Sequence, residues 1–463
     1  MKPTLFFQLA LAGFALVASP VAARTPTPAE QPAPLVTLDY YRLENGLKVV
    51  LAPDANAPTT TVAVYYGIGW RIEPKGRTGF AHLFEHLMFQ GSANLPKGEY
   101  DKLISGNGGS LNGSTRWDYT NYYQVVPSHV TQTVLWAEAD RMKSLAITAD
   151  NLKNQQDVVK NEVKVNVLNQ PYGAFVWLDM PQVAFSNFYN AHNFYGDLEE
   201  IDAATLDQAK AFHETYYTPN NAVLVVAGDM DKAQVKSWVQ TYFGNIPARP
   251  RATLPDLSEP PQTAEKRAER TDPLAPKPGL QVAWRVPPRH TDDFYAMGLI
   301  EDLLSSGDDS RLVQRLVRDK GLTDSVSGGI NPFLGSQFSY NGPMLMTYGL
   351  IHDASVAPEM ILKEIDAVIE DLRSKPVPES DLKRIRTQLR SSFYDLISSS
   401  NRFGLVDLLA SFALFDDDPG KINTIEARFA AITPEQVRKT AAKYLARDQR
   451  TILIVKPGAE PHP

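Results

Sequence analysis

Cysteine is absent from all 463 residues. That absence excludes a disulfide framework and a thiolate metal site, so any bound metal must be held by histidine and carboxylate. Long apolar runs are almost as scarce. One stretch, Leu5 to Ala18, follows Lys2 and precedes the small residues Val21-Ala22-Ala23, the order of a secretory signal. At roughly 14 residues it is shorter than the ~20 needed to cross a bilayer. Residues 1–23 are therefore expected to be a cleaved signal peptide, with the mature chain exported to the periplasm and carrying no membrane anchor. A concentrated block of positive charge is also missing. The net charge of −7 is spread along the chain with nothing to neutralise a row of phosphates, which excludes a nucleic-acid partner.

What remains is an ordinary globular composition, 43% hydrophobic and 21% charged, in a chain long enough for two or more cores. Proline-rich residues 24–38 read as a flexible leader. Prolines recur again between Pro247 and Pro278, around the charged run Glu265 to Arg270, so 247–278 reads as a linker. Domains are expected over 39–246 and 279–458.

In the first half, Tyr40 to Pro53 alternates around the turn Glu44-Asn45-Gly46, and Thr60 to Ile68 is a β-branched and aromatic run. Both predict strands. Ser105 to Ser114 is glycine-rich but lacks the Gly-Lys-Ser/Thr ending of a phosphate loop. Asp118 to Pro127 predicts another strand, and Val130 to Leu145 a helix. A second helix starts near Asp150 as N-cap and carries Gln155 and Glu162.

The stretch that gives these elements a purpose is His82-Leu83-Phe84-Glu85-His86. On a helix the two histidines stand one turn apart on a common face with Glu85, the separation two ligands of one zinc require. Phe80, Leu83, Leu87 and Met88 form the opposing apolar stripe. Burying two imidazoles and a carboxylate beside apolar neighbours is costly unless they are paired or hold a metal, so the arrangement argues for a ligand.

His82 to Ser92 resembles the metal motif of the pitrilysin, insulin-degrading enzyme and mitochondrial processing peptidase family, whose signature is an inverted zincin. Glu138 to Met142, Gly108 to Asn112 and Tyr216 to Asp229 resemble it as well. The family's third ligand, a glutamate about 76 residues after the motif, falls on Glu162. Where relatives carry another glutamate two turns earlier, this chain has Gln155, which can still hydrogen-bond around the site but brings no charge. Glu138 and Asp140 are the alternative carboxylates.

The second half repeats the first. Ile201 to Gln208 parallels Phe429 to Gln436, and Tyr216 parallels Tyr444. In that alignment His82, Glu85 and His86 fall on Ile300, Leu303 and Leu304, so the copy has no ligands, and His290 and His352 read as surface or structural. The resemblance implies an arginine and a tyrosine here that hold substrate. Arg318 is present, but Asp324 stands where the tyrosine belongs, with Tyr340 and Tyr348 as substitutes.

The expectation is an α+β protein of two homologous domains, each a mostly antiparallel sheet with helices on one face, forming half of a clamshell-like chamber. The resemblance implies a zinc metalloendopeptidase acting on short or unfolded peptides. One Zn2+ per chain would be held by His82, His86 and Glu162, with Glu85 as base and substrate lying as an added strand near Asn112. A homologous subunit would supply the missing arginine and tyrosine. The rival expectation is a non-catalytic assembly subunit of the same family.

Overall fold

In a strand, successive side chains face opposite ways, and a sheet whose strands are apolar at every position must be covered on both faces. The centre of this protein is such a sheet. The structure, a computed structural model, describes residues 34–175 and 177–458; the expected signal peptide and most of the leader lie outside the described residues. From Val36 onward the chain forms one compact unit.

The first sheet contains β1 (Asp39–Arg42), β2 (Lys48–Pro53), β3 (Thr59–Tyr66), β4 (Ser110–Thr115), β5 (Thr120–Pro127) and β6 (Ala222–Gly228), in the order β1-β2-β6-β3-β5-β4. Three strands thus precede the metal helix, because the run around Asn45 folds as a hairpin. Only β2 and β6 pair parallel. Val49, Leu51, Val62, Val64, Leu224 and Val226 face one core, with helices α1 (Phe80–Leu87), α3 (Thr131–Ser144), α5 (Leu206–Tyr216) and α6 (Lys232–Phe243). Val50, Ala52, Ala63, Tyr65, Val223 and Val225 face a second core that continues into the other half of the chain. Helices α2 (Glu99–Gly106) and α4 (Ala149–Val163) and three short helices between Asp179 and Asp202 complete the first half.

The second sheet joins β7 (Lys266–Asp272), β8 (Gly279–Arg285), β9 (Ser327–Ile330), β10 (Leu345–Ile351) and β11 (Thr451–Pro457) in the order β7-β11-β8-β10-β9. Again one pair is parallel, β7 with β11. Apart from β1, this reproduces the first sheet position for position. The proposed repeat is visible locally too: Thr205 and Thr433 each cap a helix that leads into the parallel-paired strand. Helix α7 (Asp292–Ser305) buries Ile300, Leu303 and Leu304 at 1% exposure or less.

Three expectations need correction. The charged run from Glu265, assigned to the linker, lies largely in β7, an edge strand whose outward charges discourage pairing with other chains. Asp150 is not the N-cap of α4 but lies in its first turn: the cap is Thr148, two residues earlier, whose hydroxyl accepts from Asn151 N at 3.1 Å. The leader ends before 38, since Val36 N donates to Asn423 Oδ1 at 2.7 Å and Asn423 Nδ2 donates to Val36 O at 3.0 Å.

Helix α8 (Phe403–Asp416) covers the second face of the first sheet, packing on β2, β3 and β6. Its Asp407 accepts hydrogen bonds from Tyr65 at 3.1 Å, Tyr119 at 2.6 Å and Ser339 at 2.8 Å. Lys48 Nζ donates to Ala413 O at 2.6 Å near the helix's last turn, where cations are favoured. Replacing Asp407 with alanine removes the acceptor of three hydroxyls, of which Ser339 keeps Ser336 Oγ at 3.0 Å as a partner, at about 1–3 kcal/mol for each one left unsatisfied. Scanning calorimetry should show a melting midpoint lowered by several degrees, with Asp407→Asn intermediate; an unchanged midpoint would show that the hydroxyls find other partners.

Candidate metal centre

Helix α1 begins at Gly79, whose φ of 81° and missing side chain leave the first amides uncapped. Glu73 supplies the cap from outside the helix. Its carboxylate accepts from Gly79 N at 2.8 Å and Ala81 N at 2.5 Å, and His192 Nε2 lies 3.5 Å away. Burial raises the Glu73 pKa, opposed by His192 and the two amides. Phe80, Leu83, Leu87 and Met88 are buried at 2% exposure or less, as their spacing predicts. Helix α4 packs against α1 and is tied down by Gln156, whose Nε2 donates to Ile201 O at 2.8 Å and Ala204 O at 3.1 Å. Directly after Glu162 and Val163 the backbone widens into a π-turn over Lys164–Leu168, a distortion common near functional sites.

These supports bring the three expected ligands together. His82 Nε2 and His86 Nε2 are 3.2 Å apart; Glu162 lies 3.6 Å from the first and 3.1 Å from the second. Tetrahedral zinc, with bonds of about 2.0–2.1 Å, sets its ligand atoms about 3.3–3.4 Å apart. The donor set and its spacing therefore fit that ion. Among the described residues this is the only such group of three histidine or acidic side chains. Glu138 and Asp140 are engaged elsewhere, Glu138 with Arg141 and Tyr100, and Asp140 with Ser92 and Asn94.

Electrostatics follow from depth. Burial and the neighbouring imidazole push His82 down to about 3, leaving it neutral as a ligand must be. Burial also works against charge on His86, but the Glu162 carboxylate beside it prevails and raises its pKa, with help from Gln155. Glu162 is lowered despite its own burial because both histidines face it. Glu85 does not join the ligand group. Burial raises its pKa, and Thr115 Oγ1 donates to its Oε2 at 2.7 Å.

Several functional neighbours were not legible beforehand. Tyr195 donates to Glu162 Oε1 at 3.3 Å, and the rings of Phe194 and Tyr195 lie 4.7 and 5.1 Å from that of His82. Thr115 belongs to the edge strand β4, and Gly113 two residues before it leaves a gap in which an added Cβ would stand 3.3 Å from Glu85 Cγ. Asn112 is exposed on the same strand. Arg318 and Asp324 are solvent-exposed in the second half. Tyr340 and Tyr348 cannot act as substitutes for the tyrosine, because both are buried at 2% exposure or less. His290 contacts Asp416 at 3.0 Å and His352 is buried, neither near another metal-ligand group among the described residues.

An α+β duplication with two histidines and a glutamate converging on one helix pair defines a metallopeptidase-type architecture of the inverted zincin kind. Comparison with known proteins agrees. The family description "Insulinase (Peptidase family M16)" matches residues 48–185 and "Peptidase M16 inactive domain" matches 203–389. The chain belongs to peptidase family M16. It is 27% identical to the zinc protease PqqE of Helicobacter pylori over 427 residues, 90% of this chain and 92% of that one. A crystal structure of a protease from Helicobacter pylori superposes with a TM-score of 0.84 at 26% identity, covering 91% of this chain and 100% of that one. The periplasmic protease PqqL of Escherichia coli shares the fold, with a TM-score of 0.73 at 15% identity, and this chain spans 47% of it.

Removing the carboxylate ligand tests the centre directly. Purified protein should hold one zinc, and Glu162→Ala should lose most of it on dialysis against a moderate chelator, read by atomic absorption. Zinc retained at full stoichiometry would assign the third ligand elsewhere, and the engagement of Glu138 and Asp140 leaves neither free for that role.

Proposed function

We propose that the chain is a zinc-dependent endopeptidase that cleaves short or unfolded peptides. The observation carrying this reading is the meeting of the His82, His86 and Glu162 ligand atoms beside Glu85, which Thr115 ties to an open sheet edge. When bound, zinc would polarise the substrate carbonyl and make attack by water feasible near neutral pH. The chain's own groups do the rest. Glu85, with Oε2 fixed by Thr115, takes the proton of the attacking water and returns it to the leaving amine. Its raised pKa suits a group that must both accept and release that proton. An extended peptide adds to β4 near Asn112 by main-chain pairing. Because Thr115 lies on β4, the strand that would align the peptide also orients the base.

Glu85→Gln should keep zinc and fold while lowering peptide hydrolysis by about 10²- to 10⁴-fold, the usual contribution of a general acid–base. Near wild-type turnover with full zinc content would remove Glu85 from that role. Zinc content also separates this reading from that of a metal-free assembly subunit.

The reading extends to a partner. Asp324 is a poor replacement for a tyrosine, since a carboxylate repels a developing oxyanion, and the burial of Tyr340 and Tyr348 removes the alternatives within the chain. A homodimer repeats the same defect. The proposal is therefore a heterodimer, in the periplasm, with a homologous subunit that carries the arginine and tyrosine. The length of PqqL, about twice the matched portion, fits such pairing of halves. Cleavage of an unstructured peptide should be weak with the isolated chain and rise at least about tenfold on adding that homologue, if the partner supplies one oxyanion donor. Full turnover by the chain alone would overturn the pairing.

A further inference from the structure

A cavity of about 40 Å³ opens where the two halves meet, between Trp117 and Trp177 of the first and Phe333, Leu345 and Thr347 of the second. One water needs about 10–15 Å³ in that measure, so the space takes roughly three water-sized atoms, the tip of a branched or aromatic side chain. Its walls are held in place from behind. The Trp117 ring lies 4.4 Å from that of Trp70 and under the Arg71 guanidinium at 4.6 Å, and Arg71 pairs with Asp118 at 2.9 Å. Trp177 Nε1 donates to Gly173 O at 3.1 Å. Opposite them, the loop from β9 to β10 is tied at both ends: Asn331 Nδ2 donates to Ser336 O at 3.1 Å, and Asn341 N donates to Asp118 Oδ2 at 2.6 Å. That loop presents Phe333 at 45% exposure, an aromatic ring left almost half in water.

One layer of rings separates this cavity from the candidate ligands. Trp177 lies 5.4 Å from Phe194 and 5.6 Å from Tyr195; Phe194 packs on the His82 ring, and Tyr195 donates to Glu162. Trp117 follows Thr115 by two residues, in the turn that leaves β4. The lining is apolar apart from the Thr347 hydroxyl and the Asn331 amide, whose nitrogen is taken by its own loop. A charged side chain placed there would lose its water without gaining a partner.

We propose that the cavity is a specificity subsite, which receives a bulky apolar side chain, such as leucine, from the peptide being cut. The inference rests on the peptidase reading of the metal centre. A peptide paired along β4 and continued past Thr115 reaches the opening within a few residues of the metal centre, at roughly 3.3 Å per residue. Two unstructured dodecapeptides, identical except for one leucine or alanine, test it when incubated with the zinc-loaded full chain and their products read by mass spectrometry. The leucine peptide should be cut at a fixed distance from the leucine, with kcat/KM at least about tenfold above that of the alanine peptide, the low end of what hydrocarbon filling a pocket provides. Phe333→Ala, confined to an exposed side chain, should remove most of that preference while leaving zinc content and hydrolysis of the alanine peptide unchanged. Equal cutting of the two peptides, a cut position unrelated to the leucine, or a preference that survives Phe333→Ala would each overturn the subsite. If neither peptide is cut, the peptidase reading fails and binding decides the subsite separately. Fluorescently labelled forms of both, titrated onto the same chain and read by anisotropy, should then still differ at least about tenfold, and equal affinities would overturn it.

Discussion

The first sheet has no face turned to water at its centre, and much of the molecule follows from that. Val49 and Val50, or Leu224 and Val225, are neighbours in sequence yet belong to different cores. One core seats the metal helix; the other can close only when α8 arrives from the second half. A first half alone would expose the apolar row that includes Val50, Ala63 and Val225, a liability at roughly 25 cal/mol for every Å² left in water. The half-buried Asp407 then fixes how the halves meet, because a carboxylate with three donors tolerates little sliding. The half without the candidate ligands is structural support for the half that carries them, and this gives a physical reason to keep both copies.

How much of this was legible depends on range. His82, Glu85 and His86 lie within two turns of one helix, so their shared face could be read from spacing alone. Glu162 needed the family resemblance, since no periodicity links residues on separate helices. Glu73, Thr115 and Tyr195 were missed because their roles depend on where distant segments land. Glu73 had a faint local signal: a helix that starts at Gly79 without a Ser, Thr, Asp or Asn cap needs acceptors from elsewhere. β7 was missed for a different reason. Its sequence, Lys266 to Asp272, has almost no apolar content, and only pairing with β11 reveals it as the counterpart of β2.

The duplication also explains the direction of the second half's changes. In the first half α1 shows one stripe to the core and another to the ligands. In the copy, α7 is buried on Ile300, Leu303 and Leu304 as well as on Phe294 and Leu299. Once no metal compensates an imidazole, apolar residues at those places stabilise the core that histidines would disrupt. The same half keeps a half-buried acid, Glu301, whose surroundings push it up to about 8 by desolvation and whose Oε1 accepts from Ile330 N at 3.0 Å, which ties α7 to β9.

Edge chemistry adds the last step. An exposed strand edge invites unwanted pairing, and proteins usually blunt it with charge. β1 carries Asp39 and Arg42, and β7 carries Lys266, Arg267, Glu269, Arg270 and Asp272. β4, Ser110-Leu111-Asn112-Gly113-Ser114-Thr115, has no charged residue at all. Its topological counterpart β9, Ser327 to Ile330, has none either. An undefended edge is tolerable where a strand is meant to be received. On β4 the uncharged edge and the Thr115 contact to Glu85 belong to the same six residues, so under the proposed function a peptide paired there would have its backbone aligned by the element that also holds Glu85.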